Sequence, residues 1–248
     1  MAVAAMSLPE LSTIHDTYLL LSRVARDRFA GRLAGKLLLR VGFDAAGVAT
    51  VVAASVAGGA TLCVEADGAL LREGLRGGLC DFVVGDLDEA LRILKNEVRR
   101  GLPVSVGLGA DPAGCVAAMI ERGVQPDLVA ADAAEVRAAC AIFGERGAVL
   151  LEAGAMPEAG TSLLCWSVAR DGARTMPLIS RMAAAALDEG RVDTPARRRW
   201  LEVAPRYLGR GFGSRQCVRM TREEAAGFIA TAQAATPAAT IRMNGVSV

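Results

Sequence analysis

Aromatic residues are scarce: Phe, Tyr and Trp together make up 4% of 248 residues, and there is one histidine, His15. A single histidine excludes a histidine-based triad and a multi-histidine metal site. Its place next to Asp16 in an amphipathic N-terminal segment reads as surface or interface. Charge excess is lacking too. A formal net charge of +1 gives no footprint for nucleic acid or for an anionic membrane as partner. No stretch reaches the roughly 18 uncharged apolar residues of a membrane span. The first 16 residues have neither a basic n-region nor a long apolar run, so no signal peptide is read. The six cysteines (Cys63, Cys80, Cys115, Cys140, Cys165 and Cys217) include no C-x-x-C pair. They read as buried free thiols of a cytoplasmic protein. No G-x-S-x-G elbow and no G-K-[ST] loop occurs.

What the chain has is apolar bulk in small residues: 52% of it is hydrophobic, with Ala, Val, Leu and Gly left to do the packing. From residue 36 short apolar runs alternate with helical patterns. KLLLRVGF (36–43), TLCVEAD (61–67), DFVVGD (81–86), PVSVGLG (103–109), PDLVAAD (126–132) and GAVLLEAG (147–154) have the length of buried strands. The intervening helices carry their own start and stop signals. DEALRILKNEVRRG places Asp88 and Glu89 in its first turn and Arg99 and Arg100 in its last, the order the helix dipole favours. Asp111 caps a helix with Pro112 at its first position. Such alternation implies an α/β fold, a doubly wound and mostly parallel sheet covered on both faces. The expected organisation is an N-terminal helix over 1–35 packed on a sheet domain at 36–154, a mainly helical extension at 155–236, and a poorly ordered tail at 237–248. In the extension, Thr221 and Glu224 form a T-x-x-E capping box.

The informative segment runs from Lys36 to Asp67. Strand, small-residue helix and second strand form a βαβ unit of the nucleotide-binding kind. Glu65 and Asp67 lie roughly 20 residues past the first turn, where a ribose-binding acid sits in such units. The turn, however, offers only Gly42 and Gly47 in place of G-x-G-x-x-G, with Asp44 between them. Gly42 and Gly47 are either ligand-facing or turn and packing glycines. Glu65 is either a ribose acid or a strand-end acid serving a loop.

The middle of the chain resembles the central Rossmann-like domain of the urocanase (urocanate hydratase) family, whose members use tightly bound NAD as an electrophile. FAGRLAGKLLLRVGF, VVAASVAGGATLCVEAD, LREGLRGGLCD, DLDEALRILKNEVRRGLPVSVGL and ERGVQPDLV resemble family segments in the same order, over about residues 25–132. The resemblance implies a Rossmann-like fold, an NAD site and a homodimer. Its departures fall on the site. The family's phosphate turn G-L-G-G-M-G-G-A-Q corresponds to Gly42–Thr50, where two glycines survive. Each lost glycine adds a Cβ where backbone must approach phosphate, and Asp44 adds a carboxylate that would repel it by several kcal/mol in a partly buried site. Glu65 matches the family's ribose acid, Leu70 replaces an arginine, and Asp111 matches an asparagine. Ala130–Val136 replaces a segment bordering the cofactor. The family's catalytic cysteine and many of its substrate contacts lie in flanking regions without a counterpart here.

The cofactor-side residues implied are therefore Gly42, Asp44, Gly47, Glu65 and Asp111; no catalytic residue and no metal ligand set is identified. Two functions follow. One is a urocanase-like protein without hydratase activity, binding a nucleotide-like ligand weakly at the strand ends or acting through protein partners. The other is a divergent NAD-dependent lyase or hydratase, completed by a partner subunit. Asp44, Glu65, Asp111 and Asp132 are its candidate acids, and their common position also suits a weak divalent-cation or cationic-ligand site. The arginines from Arg197 to Arg219 are either an anion grip or solvated and structural.

Overall fold

The computed structural model describes residues 8–152, 159–168, 172–208, 210–236 and 239–247. All six strands expected in the first half form, joined by helices in strict alternation: α1 (Leu11–Arg28), β1 (Leu37–Val41), α2 (Ala45–Ala57), β2 (Ala60–Glu65), α3 (Gly68–Gly77), β3 (Phe82–Val84), α4 (Leu87–Arg100), β4 (Val104–Gly109), α5 (Pro112–Glu121), β5 (Leu128–Ala131), α6 (Ala134–Glu145) and β6 (Val149–Leu151). They build one parallel sheet in the order β3-β4-β2-β1-β5-β6. The central strands are near-continuous Leu, Val and Ala because helices cover both their faces. The two edge strands are three residues each, short enough to offer little unpaired backbone.

Four of the helices that follow strands start on an aspartate. Asp44, Asp67, Asp86 and Asp111 accept from the backbone N–H of Gly47, Ala69, Glu89 and Gly114 respectively. Each such cap is worth about 1 kcal/mol. α2 is buried over nearly its whole length, because its far side lies under α1. This is the usual fate of a helix apolar all round.

The second half carries the expected C-terminal helices and adds a sheet to them. It contains α7 (Gly172–Ala185), α8 (Thr194–Val203) and α9 (Arg222–Ala235), but also β7 (Ser162–Val168), β8 (Arg215–Met220), β9 (Ala239–Met243) and β10 (Val246–Ser247). These strands form an antiparallel sheet in the order β10-β9-β7-β8. Ser162–Val168 is an apolar run that suits a strand, whereas the arginines and glutamine of RQCVRM break the apolar alternation. The tail from 239 forms a hairpin of β9 and β10. Asn244 and Gly245 both take positive φ (49° and 86°), the requirement of a tight two-residue turn that Asn-Gly satisfies. The domain boundary expected between 154 and 155, and residues 237, 238 and 248 of the tail, lie outside the described residues.

α1 joins the halves. It packs on α2 and also on α8 and β8. Tyr18 donates its hydroxyl to the Ala196 carbonyl at 2.8 Å, and the Arg219 guanidinium grips Asp16 with two bonds of 2.5 and 2.6 Å. One hydrophobic core runs from Leu38 and the α2 alanines through Tyr18 to Trp166 and Trp200. No helix among the described residues is long and apolar enough to cross a membrane.

Candidate functional site

The chain leaves β1 for β2 on one side and returns to place β5 on the other. The loops after β1 and β5 therefore diverge, and the crevice between them is where open α/β sheets take ligands. In this molecule an arginine bridges it. Arg40 lies on β1, paired with Ala130 of β5, and its side chain is only 3% exposed. Its Nη2 donates to Asp44 at 3.1 Å and to Asp132 at 2.6 Å, and its Nε donates to the Gly42 carbonyl at 3.2 Å. The bond from Arg40 holds the Asp132 carboxyl below the usual carboxylate range. Arg40 was missed as a site residue in the sequence. Its signal was an unexplained cation inside an otherwise apolar strand run, KLLLRVGF.

Asp44 has a second bond. The oxygen that meets Arg40 also accepts the Gly47 N–H at 2.8 Å, at the first turn of α2. The exposed N–H groups of a helix start, reinforced by the helix dipole, form a natural anion site. Here the anion at that site is the chain's own carboxylate.

Glu65 is equally committed. One oxygen accepts the Phe43 N–H at 2.8 Å and the other accepts the Asp67 N–H at 2.9 Å, so the carboxylate ties the turn after β1 to the turn after β2. Gly42 sits at φ +91°, a backbone that L side chains rarely adopt. At Gly47, a Cβ would lie 2.2 Å from the Gly42 carbonyl oxygen. Both glycines thus have a turn-and-packing reason to be glycine. Phe43, fully buried, fills the space under the turn, and a Cβ at Gly74 would meet its ring at 2.3 Å. Asp111 caps α5 through Gly114 N–H at 2.7 Å and does not join the bridge. The four strand-end carboxylates therefore share one end of the sheet without converging. Asp44 and Asp132 meet through Arg40, while Glu65 and Asp111 each turn to backbone amides. Among the described residues no three His, Cys, Asp or Glu side chains come together in a form that could hold a metal ion.

A model of the urocanase Rossmann-like domain matches residues 12–139, from α1 to the middle of α6. The chain belongs to the urocanase family. The first five strands of the parallel sheet, including the βαβ unit at the crevice, lie inside the matched region. The sheet formed by β7 to β10 lies outside the matched region.

Two further groups of residues singled out in the sequence lie away from this crevice. His15 is not at a surface: it is fully buried, edge-on to Trp200 with ring centroids 5.0 Å apart. Neither ring nitrogen has a hydrogen-bond partner; the Asp16 carboxylate stands 3.6 Å away, beyond hydrogen-bond range. Burial lowers its pKa, against the opposing pull of Asp16. The surface expectation failed because α1 is covered on a second side by α8, which a single-helix pattern does not reveal. Three of the arginines serve the fold. Arg197, fully buried, forms a bidentate pair with Glu224 at 2.7 and 3.0 Å, Arg199 donates to the Val56 carbonyl at 3.1 Å, and Arg219 holds Asp16.

A sizeable open volume lies elsewhere. A groove of about 900 Å³ runs between α1 and α8, over Ala34, Gly58 and Pro103. These residues precede β1, β2 and β4, so the groove lies at the opposite end of the sheet from the crevice. Arg23, Arg26, Arg32 and Arg199 border it beside Leu19, Ala57 and Pro195.

Proposed function

We propose that this chain is a urocanase-family binding protein that does not hold NAD and does not hydrate urocanate. The observation that carries this is the Asp44 carboxylate, which occupies the start of α2 and is paired there with buried Arg40. A dinucleotide in the family manner needs its pyrophosphate at that helix start and its ribose on a free strand-end acid. Neither requirement fits the residues present. The phosphate position carries a fixed negative charge, and both Glu65 oxygens already hold amides. Displacing Asp44 would cost the cap and one partner of a cation that is almost fully buried.

The binding role is better supplied by the α1–α8 groove. Its two acids are neutralised within the fold, Asp16 by Arg219 and Asp193 by Arg197. The Arg23 and Arg32 side chains have no ion-pair or hydrogen-bond partner among the described residues. The groove thus offers cations beside an apolar wall, which suits a small anionic molecule with an apolar or planar part, a nucleotide-like ligand included. A homodimer, as in the resemblance to the family, belongs to the same proposal and is read by light scattering.

The test begins with what the purified protein carries. The supernatant of the denatured protein is expected to lack stoichiometric NAD by absorbance and mass, and urocanate turnover is expected to be undetectable. Thermal-shift titration with NAD, AMP, ATP and pyrophosphate then reports binding through the rise in melting temperature that any ligand of the folded state produces. A response abolished in Arg23→Ala/Arg32→Ala and kept in Asp44→Ala supports the groove. Stoichiometric NAD, or a response lost with Glu65→Gln instead, overturns the proposal.

A further inference from the structure

Cys165 on β7 stands directly opposite Cys217 on β8. Opposed residues of an antiparallel pair alternate between hydrogen-bonded and non-hydrogen-bonded positions, and the latter bring side chains closest. Val168 N–H donates to the Ser214 carbonyl at 3.3 Å, so the pair 168 and 214 is bonded, and three positions along, Cys165 and Cys217 form a non-bonded pair. The partners of Cys217 agree. Its N–H donates to Gln216 Oε1 at 3.1 Å and its carbonyl accepts from Trp200 Nε1 at 2.7 Å, so both its backbone groups face away from β7. On the other side of β7, Asn244 N–H donates to the Leu163 carbonyl at 2.8 Å. That phase turns the backbone groups of Cys165 toward β9. Cα atoms of such a non-bonded pair are about 4.5 Å apart with both side chains on one face, inside the roughly 4.4–6.8 Å range that a disulfide spans.

The two thiols differ in kind. Cys217 is fully buried and its S–H reaches the Leu11 carbonyl at 3.7 Å; burial pushes its pKa well up. Cys165 is partly exposed. The adjacent Cys217 thiol lowers its pKa against the opposing effect of burial, with Arg219 and Arg242 adding to the lowering. The other four cysteines are buried, and burial raises all four thiols, Cys80 and Cys115 to about 11.

We propose that Cys165 and Cys217 form a reactive dithiol site that exchanges with low-molecular-weight disulfides and closes reversibly into a cross-strand disulfide between β7 and β8. The Cys165 thiolate attacks one sulfur of the small disulfide, forming a mixed disulfide and expelling the first thiolate. Cys217 gives up its proton and attacks the Cys165 sulfur; the protein S–S bond forms and the second small thiolate leaves. Two protein thiols are oxidised, one small disulfide is reduced to two thiols, and the two protons end on those thiols.

The experiment incubates the native full-length chain with oxidised glutathione, blocks remaining thiols by alkylation and maps the peptides. The free-thiol count is expected to fall from six by two, with the disulfide mapped to Cys165 and Cys217 and reversed by dithiothreitol. Cys217→Ser is expected to stop at a glutathione adduct on Cys165, and Cys165→Ser to remain unmodified. Retention of all six thiols in the parent chain overturns the proposal whatever the variants do. So does a disulfide or adduct that maps to Cys63, Cys80, Cys115 or Cys140.

Discussion

Removing the two acids that flank Arg40 should reveal how much the crevice depends on its own ion pairs. Asp44→Ala deletes the cap on Gly47, about 1 kcal/mol. Its carboxylate is 67% exposed, so the pair with Arg40 adds only about 0.5 kcal/mol. Asp132→Ala deletes the shorter bond, 2.6 Å from a carboxylate 37% exposed, and should cost about 1–2 kcal/mol. In either single variant Arg40 keeps one counter-charge. In the double variant a guanidinium only 3% exposed is left with the Gly42 carbonyl alone. An uncompensated buried charge costs about 3–5 kcal/mol, so with the lost cap the total should reach about 4–6 kcal/mol, exceeding the sum of the singles by about 1–3 kcal/mol. Urea denaturation followed by circular dichroism measures all four corners of the cycle, and for a chain of this size the double variant should melt on the order of 10–20 °C lower. Additivity within about 0.5 kcal/mol would refute the bridge as the reason for these acids. The same variants test the anion at the helix start. In Asp44→Ala, inorganic phosphate can meet the freed Gly47 N–H and Arg40, and should raise the melting temperature more than it does for the parent. An equal response would show that Asp44 does not occupy that position.

Other consequences concern pH, packing and the second half. His15, the only histidine, is buried with its pKa lowered. The unfolded chain therefore binds a proton below pH about 6.5 that the folded chain refuses, and stability should fall as pH drops from about 7 to 5; a flat profile, or one unchanged in His15→Leu, contradicts this. Gly47→Ala should destabilise by about 2 kcal/mol or more although alanine is the better helix former by about 1 kcal/mol, since its Cβ would sit 2.2 Å from the Gly42 carbonyl oxygen; an unchanged melting temperature would show that the turn can shift freely. Glu224→Gln removes the carboxylate charge that pairs with Arg197, fully buried, while Asp193 stays as its counter-charge at 3.2 Å, and should cost about 1–3 kcal/mol in urea denaturation. Burial opposes the charge on Glu224, but bonds from Arg197, Asp188 and Thr221 hold its pKa low. Its contribution should therefore be present above pH about 4.5 and lost as pH falls further.

The part of the fold set by short-range rules could be read directly. Six strand–helix alternations, the Asp111–Pro112 start, the α4 charge order and the Thr221–Glu224 capping box all depend on residues within a few positions of one another, and so does the family likeness. The antiparallel sheet was missed where its strands carry side chains committed to distant partners, as Arg219 is to Asp16, 203 residues away. The Asn244–Gly245 turn was a local signal that could have been used.

Tertiary structure alone decided the site. Nothing near Arg40 in sequence announces Asp132, 92 residues on; they meet because β1 and β5 are neighbours at the point where the sheet reverses direction. The sequence placed Asp44, Glu65, Asp111 and Asp132 at strand ends but left open whether they would converge on a ligand. Each is instead satisfied within the fold, because a helix start, a pair of turn amides and a buried guanidinium all need a carboxylate nearby. Likewise a lone histidine on an amphipathic helix looks like a surface residue until a second helix covers it, and two cysteines 52 positions apart become neighbours only through strand register. The sequence by itself determined the scaffold and its lineage, whose signals are periodic and local. Which polar groups find each other depends on long-range pairing, and that information appears only once the strands are laid side by side.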